Sequence, residues 1–272
     1  MSDNFSKRFG YTSPPKEITI REDAPSGLRS FVIQTLYSYK LLPSYLRRII
    51  CRILKTSPDD GNWSEYPNIE QEVKYLIEEC EWFKVYDIIE GFYSYIEQER
   101  TKLDFQQEIN EYFLQNGIGW KLVNGIIEIR GDEIFESSVK NVTENLNKAK
   151  LYTAQSEIKE AIKDLSRRPS PDITGAIQHS LASLECVCRE AFGDRKSTLG
   201  ELMKKAEGFI PKPLDQAVGK IWGYTSEQGR HLREGEVPDL TEAELVVELS
   251  AAISNYLSKR IPTIAKETDD IF

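Results

Sequence analysis

The 272-residue sequence has few of the residues that most often build metal and nucleophile chemistry: two histidines, His179 and His231, and four cysteines. Cys51, Cys80, Cys186 and Cys188 form no CxxC pair, which argues against a Cys/His zinc site. Scattered thiols in a chain of this length read as reduced, mostly buried side chains of a cytoplasmic protein. There is no P-loop, no Rossmann glycine fingerprint, no GxSxG and no HExxH. No cofactor or metal is therefore expected. No apolar run approaches the roughly 18 residues of a membrane span, and Met1–Phe9 (MSDNFSKRF) has no apolar core of a secretory signal.

What is present is enough for a folded core. The hydrophobic fraction is 40% and the net charge is −9. That charge is unevenly spread. Residues 1–60 carry 10 basic and 6 acidic side chains, net +4, while residues 61–136 carry 6 and 17, net −11. The remainder is nearly balanced at net −2. The asymmetry points to two modules. The acidic total excludes a general duplex-DNA coat, which needs a broad basic surface; it leaves room for a local cationic patch.

Apolar spacing is helical over most of the chain. After an extended arm with a short strand at Lys16–Arg21, helices are expected from Leu28, from Pro43, and from Ile69 to about Arg100 with a break near Glu81–Asp87. Another follows around Phe105–Phe113. Then the period changes. Asn124-Gly125 lies between two apolar runs, the pattern of a hairpin over about 118–130 with a type I′ turn. Beyond Asp132 all reads as helix: about 132–148, 151–166, 171–192, 198–207, 213–231 and 241–260. Ser170 is expected to cap the third of these with Pro171 in its first turn. Thr198/Glu201 and Thr241/Glu244 read as capping boxes. The expected architecture is mostly α: a helical N-terminal domain with one β-hairpin, residues 1–148, followed by an antiparallel helical bundle, residues 149–272.

Three groups of residues could carry chemistry. Arg48, Arg52 and Lys55 recur at i, i+4, i+7 on the second helix, beside Arg47, and could hold RNA phosphates or another anion; the plainer reading is a solvated face paired with the acidic middle region. His179 lies opposite the apolar stripe of its helix, among Ala182, Ser183 and Cys186, all small. Such a stripe suggests a second close contact, with another helix or with a second copy of the chain. His179 there could move protons near neutral pH or serve as a hydrogen-bonding group at a helix contact. The densest polar cluster, Glu227 to Gly235, holds Arg230, His231, Arg233 and Glu234 where a helix ends. Arginine beside histidine suits phosphodiester binding and cleavage; cations at a helix C-terminus also simply favour the macrodipole.

Two stretches resemble known families. Glu108–Gly131 (EINEYFLQNGIGWKLVNGIIEIRG) resembles the N-terminal domain of AbiJ-type abortive-infection proteins. Leu165–Ala191 (LSRRPSPDITGAIQHSLASLECVCREA) with Ser226–Gly235 (SEQGRHLREG) resembles the HEPN-like abortive-infection C-terminal domain. The resemblance implies a prokaryotic phage-defence protein answering to a phage trigger. It also implies a helical bundle that forms a homodimer, with metal-independent RNA cleavage. The HEPN motif is an Arg followed by four to six residues and a His. No Arg stands at that distance before His179 or His231, and Arg230 has Gly, Glu and Val where the His would fall. The cluster shares the motif's composition and departs from its spacing. A rearranged site of Arg230, His231, His179, Arg233 and Glu234 and a non-catalytic binding or dimerisation module both remain open.

Overall fold

The computed structural model describes residues 5–9, 15–194, 196–205, 210–230 and 238–261. The chain divides into two compact units, Met1–Glu128 and Ile129–Phe272. The division falls before the helix that the sequence assigns to the end of the first domain.

The first unit is helical with one hairpin. Its elements are a single turn α1 (Phe5–Arg8), then α2 (Ser26–Ser38), α3 (Pro43–Leu54), α4 (Glu70–Glu79), α5 (Trp82–Tyr95) and α6 (Glu99–Gln115), followed by β1 (Trp120–Val123) and β2 (Ile126–Ile129), whose last residue, Ile129, opens the second unit. Pro43 opens α3, where its fixed φ and missing N–H cost nothing. The helical stretch expected from Ile69 to about Arg100, with a break near Glu81–Asp87, is interrupted at Cys80–Glu81, where the backbone turns extended, and again after Tyr95, before α6. The first break is held by Arg29 of α2, whose guanidinium donates to the carbonyls of Ile77, Glu78 and Cys80 at 2.7, 2.9 and 2.8 Å. Those carbonyls would otherwise lack partners at a helix end. The core is mainly aliphatic with an aromatic cluster inside it: Phe92 packs against Phe105 and Tyr39, and Tyr86 lies between Phe113 and Trp120.

The hairpin turns at Asn124 (φ 50°) and Gly125 (φ 85°), the paired positive φ values of a type I′ turn. Side chains from the helices complete its hydrogen bonding. Asn110 of α6 donates to the Leu122 carbonyl at 2.8 Å and accepts from the Leu122 amide at 2.7 Å, as a neighbouring strand would. Glu90 of α5 accepts from the Ile127 amide at 2.6 Å, and burial pushes its carboxyl above the usual range. The strand expected at Lys16–Arg21 is a single parallel bridge between Ile20 and Ile118.

The second unit is a helical bundle: α7 (Glu133–Lys148), α8 (Tyr152–Ser166), α9 (Ile173–Phe192), α10 (Leu199–Lys205), α11 (Leu214–Arg230) and α12 (Leu240–Ser258). Helix α9 is central, packing against α8, α12, α10 and α11, while α7 packs on α8 and α12. Ile177, Leu184, Val187 and Cys188 of α9 are fully buried with Ile158, Ala161 and Leu165 of α8 and Val247, Ala251 and Leu257 of α12. Thr198 and Glu201 form the expected reciprocal cap of α10. Two caps differ from expectation. Asp172, not Ser170, caps α9, because its carboxylate reaches the Gly175 amide. Asp239 with Glu242, not Thr241 with Glu244, forms the capping box of α12. In both cases an Asp two residues from the expected Ser or Thr takes the N-cap position.

All four cysteines are free thiols. No helix among the described residues is long and apolar enough to cross a membrane.

Candidate functional site

The site in the second unit begins where α8 ends. Ser166, the last residue of α8, donates back to the Ile162 carbonyl and accepts from the Ile129 amide. The run Arg167-Arg168-Pro169-Ser170-Pro171 cannot continue the helix, so the chain reverses and α9 returns antiparallel along α8. The reversal is tied at its base. The Asp172 amide donates to the Asp164 carbonyl at 3.0 Å, and Arg167 bridges the carboxylates of Asp164 and Asp172, both at 2.9 Å.

Antiparallel pairing then sets the register. Ala154, Glu157, Ala161 and Asp164 share one face of α8, and Gly175, His179 and Ser183 recur every four residues on α9. They meet in reverse order. Ser183 Oγ donates to the Ala154 carbonyl at 2.7 Å, His179 Nδ1 lies 2.7 Å from Glu157 Oε2, and Gly175 packs against Asp164. A Cβ at Gly175 would stand 2.7 Å from Asp164 Oδ2, so this close approach needs glycine. The small stripe around His179 thus packs on α8 of the same chain, the first of the two contacts the sequence left open.

His179 is half-buried, its side chain 40% exposed, while that of Asp164 is 2% exposed. The second ring nitrogen, Nε2, lies 3.6 Å from Asp164 Oδ2, beyond hydrogen-bonding distance. Burial pushes the Asp164 carboxyl up, and the charges of Arg167 and His179 oppose that rise only in part. One ring nitrogen of a solvent-reached imidazole is therefore fixed by a carboxylate, and the other faces a second, nearly enclosed carboxylate without bonding to it. That is the arrangement in which a carboxylate orients a histidine for proton transfer.

The other sequence candidates fall elsewhere. Arg48, Arg52 and Lys55 lie on the exposed face of α3 in the first unit. None of them forms an ion pair with a described residue; Arg48 lies over the Tyr45 ring, 4.8 Å from its centre. Arg47 instead turns to the loop before α4, donating to the carbonyls of Asp59 and Asn62 and to Glu72. Arg230 is the last residue of α11; its side chain, with His231, Arg233 and Glu234, lies outside the described residues. Among the described residues, no three His, Cys, Asp or Glu side chains are placed to hold a metal ion.

Glu157, Asp164, Arg167 and Asp172 do not stand out in the sequence. One signal points to them: Asp164 sits between Ile162 and Leu165 on the buried face of α8, and a charge on an apolar stripe demands a partner.

No curated protein and no solved structure matches the chain significantly. Among protein families, residues 3–145 match AbiJ N-terminal domain 4, a span that takes in the whole first unit from residue 3 and most of α7. The chain belongs to the AbiJ N-terminal domain 4 family.

Proposed function

We propose that this protein is an antiphage abortive-infection effector whose second unit cleaves RNA without a metal. The observation that carries the reading is the half-exposed His179 imidazole held at 2.7 Å by Glu157, in a chain whose family is that of AbiJ. In this reading His179 takes the proton from an RNA 2′-hydroxyl as that oxygen attacks the adjacent phosphorus. The bond from phosphorus to the departing 5′-oxygen breaks, and a second acid, assigned to His231, protonates that oxygen. Arg230 and Arg233 hold the phosphate charge, Glu234 flanks them, and Glu157 is a positioning residue. The unit acts as a homodimer, in the cytoplasm of a prokaryotic cell, released by a phage trigger.

A second reading has its own observation. Carboxylates crowd His179: Glu157 and Asp164 face the ring, and the Arg167 guanidinium is already shared between Asp164 and Asp172. Such a setting disfavours a phosphodiester and suits a non-catalytic HEPN-like module that binds or regulates a partner in a defence system.

Expression in cells challenged with phage separates the two. The effector reading expects growth arrest and protection with the wild type, and loss of both with His179→Ala and with Arg230→Ala/His231→Ala. Full protection by a stably folded His179→Ala variant would refute the catalytic role and favour the module.

A further inference from the structure

The first unit carries an arrangement that the chemistry at His179 does not use. On α3, Tyr45, Arg48, Arg52 and Lys55 follow one another at steps of three, four and three residues. At 100° per residue they stay within about 80° of one another, along roughly 15 Å of helix. Tyr45, Arg48, Arg52 and Lys55 are all exposed. Carboxylates are abundant in this unit, and Arg47, one position away, pairs with Glu72. Yet none of the three outer cations pairs with a described carboxylate. The C-cap of α3 is Lys55 itself, in the left-handed region at φ 55°.

At the Tyr45 end of this stripe a cleft of about 300 Å³ opens. Its aromatic walls are Tyr39, Tyr45, Phe92 and Tyr95, and Glu97 and Gln98 supply polar lining. Half-buried Tyr39 is braced edge-on by the core residue Phe92, at 5.4 Å between ring centres, so this wall is already in place. Tyr45 belongs to both features: it lines the cleft and carries the Arg48 guanidinium over its ring.

A cleft with aromatic walls next to a row of cations unpaired among the described residues selects a ligand with an aromatic ring at one end and negative charge at the other. An ammonium ligand would suit the aromatic walls but would be repelled by the three cations. A purely apolar ligand would leave those cations unused. We propose that the first unit binds a nucleotide, with the base in the cleft against Tyr45 and Tyr95 and the phosphates along Arg48, Arg52 and Lys55. Base stacking on aromatic side chains beside a cationic track is the mode by which single strands are held with little sequence preference. The nucleotide's source is either a strand or a free mononucleotide. The inference concerns binding by the first unit and holds whether or not the second unit cleaves RNA.

The test uses the full chain in EDTA. A 5′-labelled ten-nucleotide oligodeoxyadenylate, which lacks the 2′-hydroxyl that cleavage would use, is titrated by fluorescence anisotropy over a salt series, with adenosine 5′-monophosphate as competitor. Saturable binding is expected, and the Arg48→Ala/Arg52→Ala/Lys55→Ala variant should weaken it at least tenfold. The logarithmic salt slope of that variant should flatten by about 2, at ~0.7 for each phosphate no longer neutralised. Tyr45→Ala should weaken binding by about tenfold with the slope unchanged, and Tyr45→Phe should restore it. Competition by the monophosphate identifies a free nucleotide as the ligand; oligonucleotide binding without competition identifies a strand. Absence of saturable binding by either probe would overturn the proposal. So would binding by the two alanine variants equal to wild type. All these positions are exposed, and an unchanged thermal melt confirms that each variant is folded.

Discussion

Glu72 shows how much one carboxylate can fix. Burial alone would raise its pKa. Hydrogen bonds from the Asp59 amide, Arg47 and Asn62, with the nearby Arg47 charge, outweigh that and hold it below the usual carboxylate range. A carboxyl with a folded pKa below its unfolded value of about 4.3 stabilises fully above that value. The contribution is lost as pH falls through the folded pKa. Glu72→Gln should therefore cost about 2 kcal/mol at pH 7, measured by urea unfolding, and the gap to wild type should narrow as pH falls below the unfolded value and through the lowered folded one. A gap that persists in acid would show that packing, not charge, matters there. His179 is the converse case for legibility. Its place opposite the apolar stripe of α9 can be read from spacing, because 100° per residue is a property of one helix. Its partner Glu157 cannot, because it arrives from another helix in a register set by the reversal at Pro169–Pro171.

At the scale of elements, α8 and α9 are an antiparallel pair clamped at the turn and pressed closest at Gly175. Gly175→Ala would gain up to about 1 kcal/mol of helix propensity. It would also drive a methyl group to within 3 Å of Asp164 and Asp172. The steric cost of about 1–3 kcal/mol should win, giving a lower melting temperature by calorimetry. Asp172→Ala removes both the α9 cap and one of the two carboxylates on Arg167, and should cost about 1–2 kcal/mol. In the hairpin, Gly125→Ala should destabilise by about 1–3 kcal/mol, because φ is +85° and a Cβ would meet the Tyr93 ring at 2.6 Å; denaturant unfolding checks it. The hairpin and most helices are legible in the sequence because their signals are local: Asn-Gly for the turn, Pro43 for a helix start, Thr198/Glu201 for a cap. The boundaries that differ from expectation have distant causes. The end of α4 is fixed by Arg29, about fifty residues earlier; the start of α9 is a local exception, set by Asp172 reaching the Gly175 amide three residues on. The bridge at Ile20 depends on a partner almost a hundred residues on, which period-2 patterning cannot reveal.

At the scale of the molecule, the uneven charge and the two compact units agree that the chain is composite. The family match, residues 3–145, runs past the end of the first unit into α7, which packs on α8 and α12. Most of helix α7 thus lies within the family match, while its packing is with the second unit. The net charge of −9 is a sum over an exposed cationic stripe on α3, a strongly acidic stretch after it, and a nearly neutral bundle. It therefore says little about a local RNA site. The central claim is that His179, oriented by Glu157, moves protons in RNA cleavage. The most direct test is cleavage of a labelled RNA by the purified full chain in EDTA. The account predicts cleavage by wild type, at least a hundredfold loss in a folded His179→Ala variant, and a smaller loss with an altered pH profile in Glu157→Gln. No cleavage by wild type, or equal cleavage by His179→Ala, would contradict it.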